Sequence, residues 1–213
     1  PNNTYDSFTG TSMACPGVAG CMAQLYQAYK ELNGNINPPS ALMKCVVLNS
    51  ADDLGNPGPD FKHGWGEINV LRGLNILENN NYESGTITQG SDEDHILNIP
   101  AGTQEIKIMV YWHDKEASTN ASVALVNDLD ITLTTPSGNT VYPWVLDPTP
   151  SSTILNTPAV QGVDNLNNME QISIKNPPSG AYILSINGTT VPYGPQQYFM
   201  TYEIKSSEIT LTY

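Results

Sequence analysis

Basic residues are scarce in this chain of 213 residues: eight Lys and Arg stand against 21 Asp and Glu, for a formal charge of −13. A surface of that sign repels phosphate backbones, so nucleic acid is excluded as an expected partner. Long apolar runs are also missing. None approaches the ~20 residues that cross a bilayer, and no basic-then-apolar leader opens the chain. Cysteine is limited to Cys15, Cys21 and Cys45. The first two fall on different faces of one predicted helix, nearly two turns apart, which is too far for a bridge. Three free, buried thiols acting as small hydrophobes are therefore expected, and the redox compartment stays open. Asn2, Asn120 and Asn187 each satisfy Asn-x-Ser/Thr, a pattern too short to decide localisation. What is present in quantity is apolar residue, at 39%, enough for one large core or two modest ones.

The most informative stretch is Phe8-Thr9-Gly10-Thr11-Ser12-Met13-Ala14-Cys15-Pro16-Gly17-Val18-Ala19-Gly20. Ser12 stands where a helix should begin. Gly10 would allow a sharp approach, and the first helical N–H groups would be unpaired and aimed at incoming negative charge. Such donors stabilise the oxyanion of an acyl transfer. The plainer alternative is a Ser/Thr N-cap on a helix of small residues. The run Gly10 to Ala14, with Pro16 and Val18-Ala19-Gly20, resembles the nucleophile motif of the subtilisin-like serine proteases. That resemblance implies Ser12 as the catalytic nucleophile. In that family the triad runs Asp, His, Ser along the chain, and only eleven residues precede Ser12 here. The expectation is a C-terminal portion of such a protease, inactive alone, whose His, Asp and side-chain oxyanion donor lie upstream.

Along the chain, residues 1 to 11 read as loop, and the helical period runs from Ser12 to about Leu32, with Val18, Met22, Leu25, Tyr26 and Tyr29 on one face. Small residues elsewhere on its first half predict a helix surrounded by other elements. A second helix is expected from about Pro39 to Ser50, capped by Asn37 or Ser40 and burying Leu42, Cys45 and Val46. Gly64-Trp65-Gly66 precedes a third, about Val70 to Glu78, and Trp65 reads as a packing anchor. After Asn79-Asn80-Asn81 the period becomes alternating, which divides the chain into 1–80 and 81–213. Strands are expected from Ile87 and from Ile96 to Ile99. They continue over 105–112, 128–135, 140–142, 170–175, 181–187, 197–204 and 208–212, with turns at Pro136-Ser137-Gly138-Asn139 and Pro177-Pro178-Ser179-Gly180. In the third of these, Ile106, Ile108, Val110 and Trp112 share a face. The fold class is thus α+β: a helical remnant of an α/β catalytic domain, then an antiparallel β-sandwich of jelly-roll type.

The second half also resembles alkaline subtilases that carry a C-terminal β-domain. The resemblance rests on Tyr111-Trp112-His113-Asp114, Leu125-Val126-Asn127-Asp128-Leu129-Asp130, Asn167-Asn168-Met169-Glu170, Gly180-Ala181-Tyr182 and Val191-Pro192-Tyr193-Gly194-Pro195-Gln196, in that order. It implies a calcium site there, and Asp114, Asp128, Asp130, Asp164, Asn168 and Glu170 are oxygen donors that strand ends would gather. The alternative is solvated acids and turn hydrogen bonds. His63, His95 and His113 read as surface or turn residues, neither zinc ligands nor a base for Ser12.

The sequence therefore predicts part of a serine endopeptidase acting on protein or peptide substrates through an acyl-enzyme on Ser12. By family resemblance the protein is secreted. A β-sandwich module that binds carbohydrate or protein is the rival reading, since fold alone does not choose. The helices carrying Val18, Leu25 and Leu42 are expected to pack on the upstream catalytic segment, on the sandwich or on a second copy of the chain.

Overall fold

The computed structural model describes residues 6–206, so the strand expected over 208–212 and the sequon at Asn2 lie outside the described residues. Three helices come first: α1 (Thr11–Leu32), α2 (Ser40–Asn49) and α3 (Val70–Glu78). Ten strands follow. They are β1 (Tyr82–Ile87), β2 (Asp92–Ile99), β3 (Thr103–Trp112), β4 (Asp128–Thr134), β5 (Thr140–Val141), β6 (Trp144–Val145), β7 (Val160–Gln161), β8 (Met169–Lys175), β9 (Gly180–Thr190) and β10 (Gln196–Ser206).

The strands form two antiparallel four-stranded sheets, ordered β1-β10-β3-β8 and β2-β9-β4-β5, with β6 and β7 as a separate hairpin. Period-two alternation sends Ile106, Ile108, Val110 and Trp112 inward from one sheet and Leu129, Ile131, Leu133, Leu184 and Ile186 inward from the other. The two inner faces close into one sandwich core. Tyr182, Tyr198 and Trp112 are its largest fully buried side chains. Each polar tip is satisfied: the Trp112 indole N–H donates to the Asn127 carbonyl at 2.8 Å and the Tyr182 hydroxyl to the Pro178 carbonyl at 2.9 Å.

The outer face of the β1-β10-β3-β8 sheet is covered too. Met109, Tyr111 and Phe199 project from it into a second core with Leu25, Leu42, Cys45, Val46, Ile76 and Leu77 of the helices. The layers are helices, sheet, sheet. Asn49, fully buried at the end of α2, ties the first two layers. Its amide donates to the carbonyls of Lys107 and Thr201 at 3.3 and 3.2 Å and accepts from Gln171 at 3.0 Å. Arg72 of α3 makes a two-pronged pair with Glu203 of β10 and also bonds Asp52.

Three local expectations differ from the structure. The cap of α2 is Pro39, with no side-chain bond, while Asn69 caps α3 by accepting from the Arg72 N–H at 3.0 Å. Cys15 is exposed and Cys21 half-buried, so only Cys45 is the buried thiol expected of all three. The cause is the same for both exposed thiols: of α1 only Leu25 is buried, and Val18 stays 41% exposed. Among the described residues the first half of that helix meets no partner element that would bury it.

Candidate functional site

Ser12 is the second residue of α1, exposed, in a helix that Gly10 starts. The Gly10 carbonyl accepts from Met13 N–H at 3.0 Å and Ala14 N–H at 3.2 Å. Among the described residues nothing bonds the N–H groups of Thr11 and Ser12, so two donors at the positive end of the helix are free beside the hydroxyl. Pro16 lies inside the helix, four residues beyond Ser12, and lacks the N–H that would have engaged the Ser12 carbonyl. The sharp approach attributed to Gly10 is not needed. Its φ of 163° is extended backbone, and an added Cβ would meet only the Met13 sulfur, at 4.0 Å.

A hydroxyl alone is a weak nucleophile, and among the described residues no base faces this one. The His63 ring lies beside Asp60, with Nδ1 3.4 Å from Oδ2. His95 is held between Glu83 at 2.7 Å and the Tyr198 hydroxyl at 2.8 Å. His113 is exposed next to Asp114 and contributes its carbonyl to Gln196. Among the described residues no hydrogen bond reaches the Ser12 side chain.

The acids singled out in the sequence do influence one another. Burial, then Asp130, Asp164 and Asp114, push the Asp128 carboxyl up to about 6. Burial also raises Glu170 well above the usual carboxyl range, opposed by the Ile131 N–H and reinforced by Asp130, Asp164 and Asp128. Glu170 sits on β8, a sheet edge, and its Oε2 accepts from the Ile131 N–H of β4 at 2.8 Å, bridging the two sheets. Three buried carboxylate oxygens have no partner among the described residues: Asp128 Oδ1, Asp130 Oδ1 and Glu170 Oε1. Asp114 and Asp164 are engaged differently. Asp114 accepts from the N–H groups of Lys115, Val126 and Asn127, and Asp164 from those of Leu166 and Asn167 and from the Asn167 amide. Asn168 donates to the Trp112 carbonyl at 2.8 Å. Among the described residues no three His, Cys, Asp or Glu side chains are already grouped tightly enough to hold a metal ion.

Residues 1–66 match the model of the Subtilase family, Peptidase_S8. The matched segment holds α1 with Ser12, α2 and the loop through Trp65. The relatives of similar sequence are described as serine proteases. The serine protease/ABC transporter B family protein tagA of Dictyostelium discoideum is 24% identical over 216 residues, which span 89% of this chain and 12% of that protein. An extracellular serine protease of Serratia marcescens is 34% identical over 74 residues, 35% of this chain and 6% of its own length. The chain thus matches a small part of each. Among solved structures, a Bacillus licheniformis lipase aligns over 59% of this chain and 21% of its own at 14% identity and a TM-score of 0.36, too slight a likeness to indicate a shared fold.

Sequence pattern does not point to Lys107 or Trp144, which border a cavity of about 570 Å³ that the loop after α2 also lines. The signal was faint. Lys107 interrupts the apolar run of β3 on the face opposite Ile106 and Ile108, which alternation assigns to solvent.

Proposed function

We propose that this chain is the portion of a secreted serine endopeptidase that carries the nucleophile, Ser12, and that peptide bonds are cleaved through an acyl-enzyme on its Oγ. The observation that carries the reading is an exposed serine in the first turn of a helix, with free N–H groups beside it, inside the segment that matches the Subtilase family. In the reaction Oγ attacks the carbonyl carbon of the substrate, a base elsewhere in the protein takes its proton, and the Ser12 N–H steadies the developing oxyanion. The amine leaves with that proton, and water then releases the acyl group. Secretion is supported by the extracellular Serratia relatives. No described helix is long and apolar enough to cross a membrane.

The bare face of α1, with Met13 49% and Val18 41% exposed, is where this reading seats the rest of the catalytic domain. A second copy of the chain is the competing occupant, and light scattering separates the two. A fluorophosphonate probe tests the nucleophile. The chain alone should react at no more than the rate of the Ser12→Ala variant, and the longer protein that contains the base should label at Ser12. Labelling of that longer protein elsewhere refutes the assignment.

The acidic cluster belongs to the same reading as a calcium site. Stranded oxygens on Asp128, Asp130 and Glu170 fit a hard cation that takes oxygen ligands, with Asp114, Asp164 and Asn168 as the neighbouring donors. Calcium there would neutralise the cluster and join β4 to β8, supplying stability and no step of the reaction.

A further inference from the structure

Helices α2 and α3 cover only part of the outer face of the β1-β10-β3-β8 sheet. Beyond Met109 the face continues with Lys107 opposite Ser173 and Glu105 opposite Lys175. The loop after α2 and the β6-β7 hairpin border this floor, and with Thr135, Asn139 and Val141 they line an open cavity of about 570 Å³. Trp65 lines it from the loop and Trp144 from the hairpin. Trp144 is fixed: its indole N–H donates to the Ser173 hydroxyl at 2.9 Å, and its ring lies so close to Gly58 that a Cβ there would come within 3.0 Å. An adjoining cavity of about 440 Å³ shares Asp53, Glu105, Lys107 and Lys175 and adds Arg72 and Lys205.

Arg72, Lys107, Lys175 and Lys205 are four of the eight cations in a chain of charge −13, yet they gather on one groove, where Asp52, Asp53 and Glu105 are the acids. Arg72 is answered by Asp52 and Glu203. The lysines make no such direct pair, although Glu105 stands between Lys175 and Lys205 in the strand register and Glu203 stands opposite Lys107. Lys107 is only 5% exposed, its ammonium donates to the Ala51 carbonyl, and among the described residues no carboxylate lies within ion-pair distance of Lys107, Lys175 or Lys205. An ammonium has three donors, so two of those on Lys107 are unspent in a place where burying charge is costly without an anion.

We propose that this cleft binds the carboxylate end of a short extended peptide. The terminal carboxylate meets Lys107 and Lys175, the last apolar side chain lies against Trp65 and Trp144, and backbone amides pair with Asn139, Gln161 and Gln171, each of which both donates and accepts. Asp53 and Glu105 at the same groove disfavour polyanions, which selects a single carboxylate over polyphosphate or a polyuronate. This site is separate from Ser12 and does not depend on its role.

The test titrates the chain with N-acetyl-glycyl-prolyl-alanyl-leucine, as the free acid and as the C-terminal amide, followed by tryptophan fluorescence and calorimetry. The acid should bind saturably and at least tenfold tighter than the amide. Lys107→Met should reduce the acid to the affinity of the amide. If that variant does not fold, Lys175→Met should weaken the acid several-fold and leave the amide unchanged. Trp144→Phe should weaken both forms. Equal affinity for acid and amide, no saturation below 10-fold molar excess at millimolar peptide, or tighter binding of trigalacturonate than of the acid would each overturn the proposal.

Discussion

Replacing Glu170 by glutamine separates the cost of the acidic cluster from its use. Glu170 Oε2 bonds the Ile131 N–H at 2.8 Å while Oε1 is buried and unpartnered, with Asp128, Asp130 and Asp164 close enough to raise its proton affinity. An amide keeps the first bond, removes a carboxyl from a crowd of acids and replaces the stranded Glu170 oxygen by a donor group among them. Each unsatisfied buried polar oxygen costs about 1–3 kcal/mol, so in EDTA the variant should exceed the wild type by about 1–2 kcal/mol. Calcium reverses the order. For a dissociation constant of about 0.1–1 mM, as in extracellular calcium modules, 5 mM free calcium stabilises the wild type by about 1–2.3 kcal/mol. At about 2–4 °C per kcal/mol for a chain of this size, the wild-type Tm rises by roughly 2–9 °C. The variant should gain less than about a quarter of that. Thermal unfolding by circular dichroism in EDTA and in calcium, with magnesium as a control, reads all four states. A wild-type Tm indifferent to calcium, or a variant that gains as much as the wild type, refutes the cation reasoning. A variant that is less stable than the wild type in both buffers shows instead that Glu170 acts only as the acceptor for Ile131.

Other consequences follow from the layers around the same sheet. Asn49→Ala strips three buried hydrogen bonds between α2 and the strands and should cost about 2–4 kcal/mol in urea unfolding; a loss below about 0.5 kcal/mol would show that water replaces them. Arg72→Ala leaves Glu203, 13% exposed, without its partner and should destabilise by about 2–4 kcal/mol, whereas the double replacement with Glu203→Leu should recover most of it. Asp60 is held down to about 2, chiefly by the His63 N–H, with those of Asn56 and Lys62 adding. Its folded pKa lies below the unfolded value, so its contribution is complete above about pH 4 and disappears as pH falls towards 2. The Tm gap between wild type and Asp60→Asn should narrow over that interval, and a gap independent of pH would contradict this. Ser12 is exposed and bonds nothing among the described residues, so Ser12→Ala should shift stability by less than about 0.5 kcal/mol. A larger loss would make Ser12 a structural cap.

Local pattern made much of the chain legible. The helical period over 12–32 and 70–78 falls on α1 and α3, and strict alternation over 105–112 falls on β3 with the expected four residues facing the sandwich core. The Ser12 motif lies in the segment that matches the Subtilase family. Pattern went astray where a side chain's neighbour comes from far along the chain. All three thiols read as buried, yet Cys15 is exposed and Cys21 half-buried.

What the amino-acid order determined by itself is therefore the kind and place of each element, because backbone propensity and the periods of 3.6 and 2 act between near neighbours. It also supplied the nucleophile candidate and the supply of acids. Tertiary structure decided that β3 is covered on both faces, so that Met109 and Tyr111 are as buried as Ile108 and Trp112. It decided which carboxylate oxygens are stranded and that Lys107 is sunk beneath the Ala51 carbonyl. Those outcomes depend on register between strands and on what a helix layer leaves uncovered, and desolvation acts on the assembled surroundings, which no short window of sequence contains.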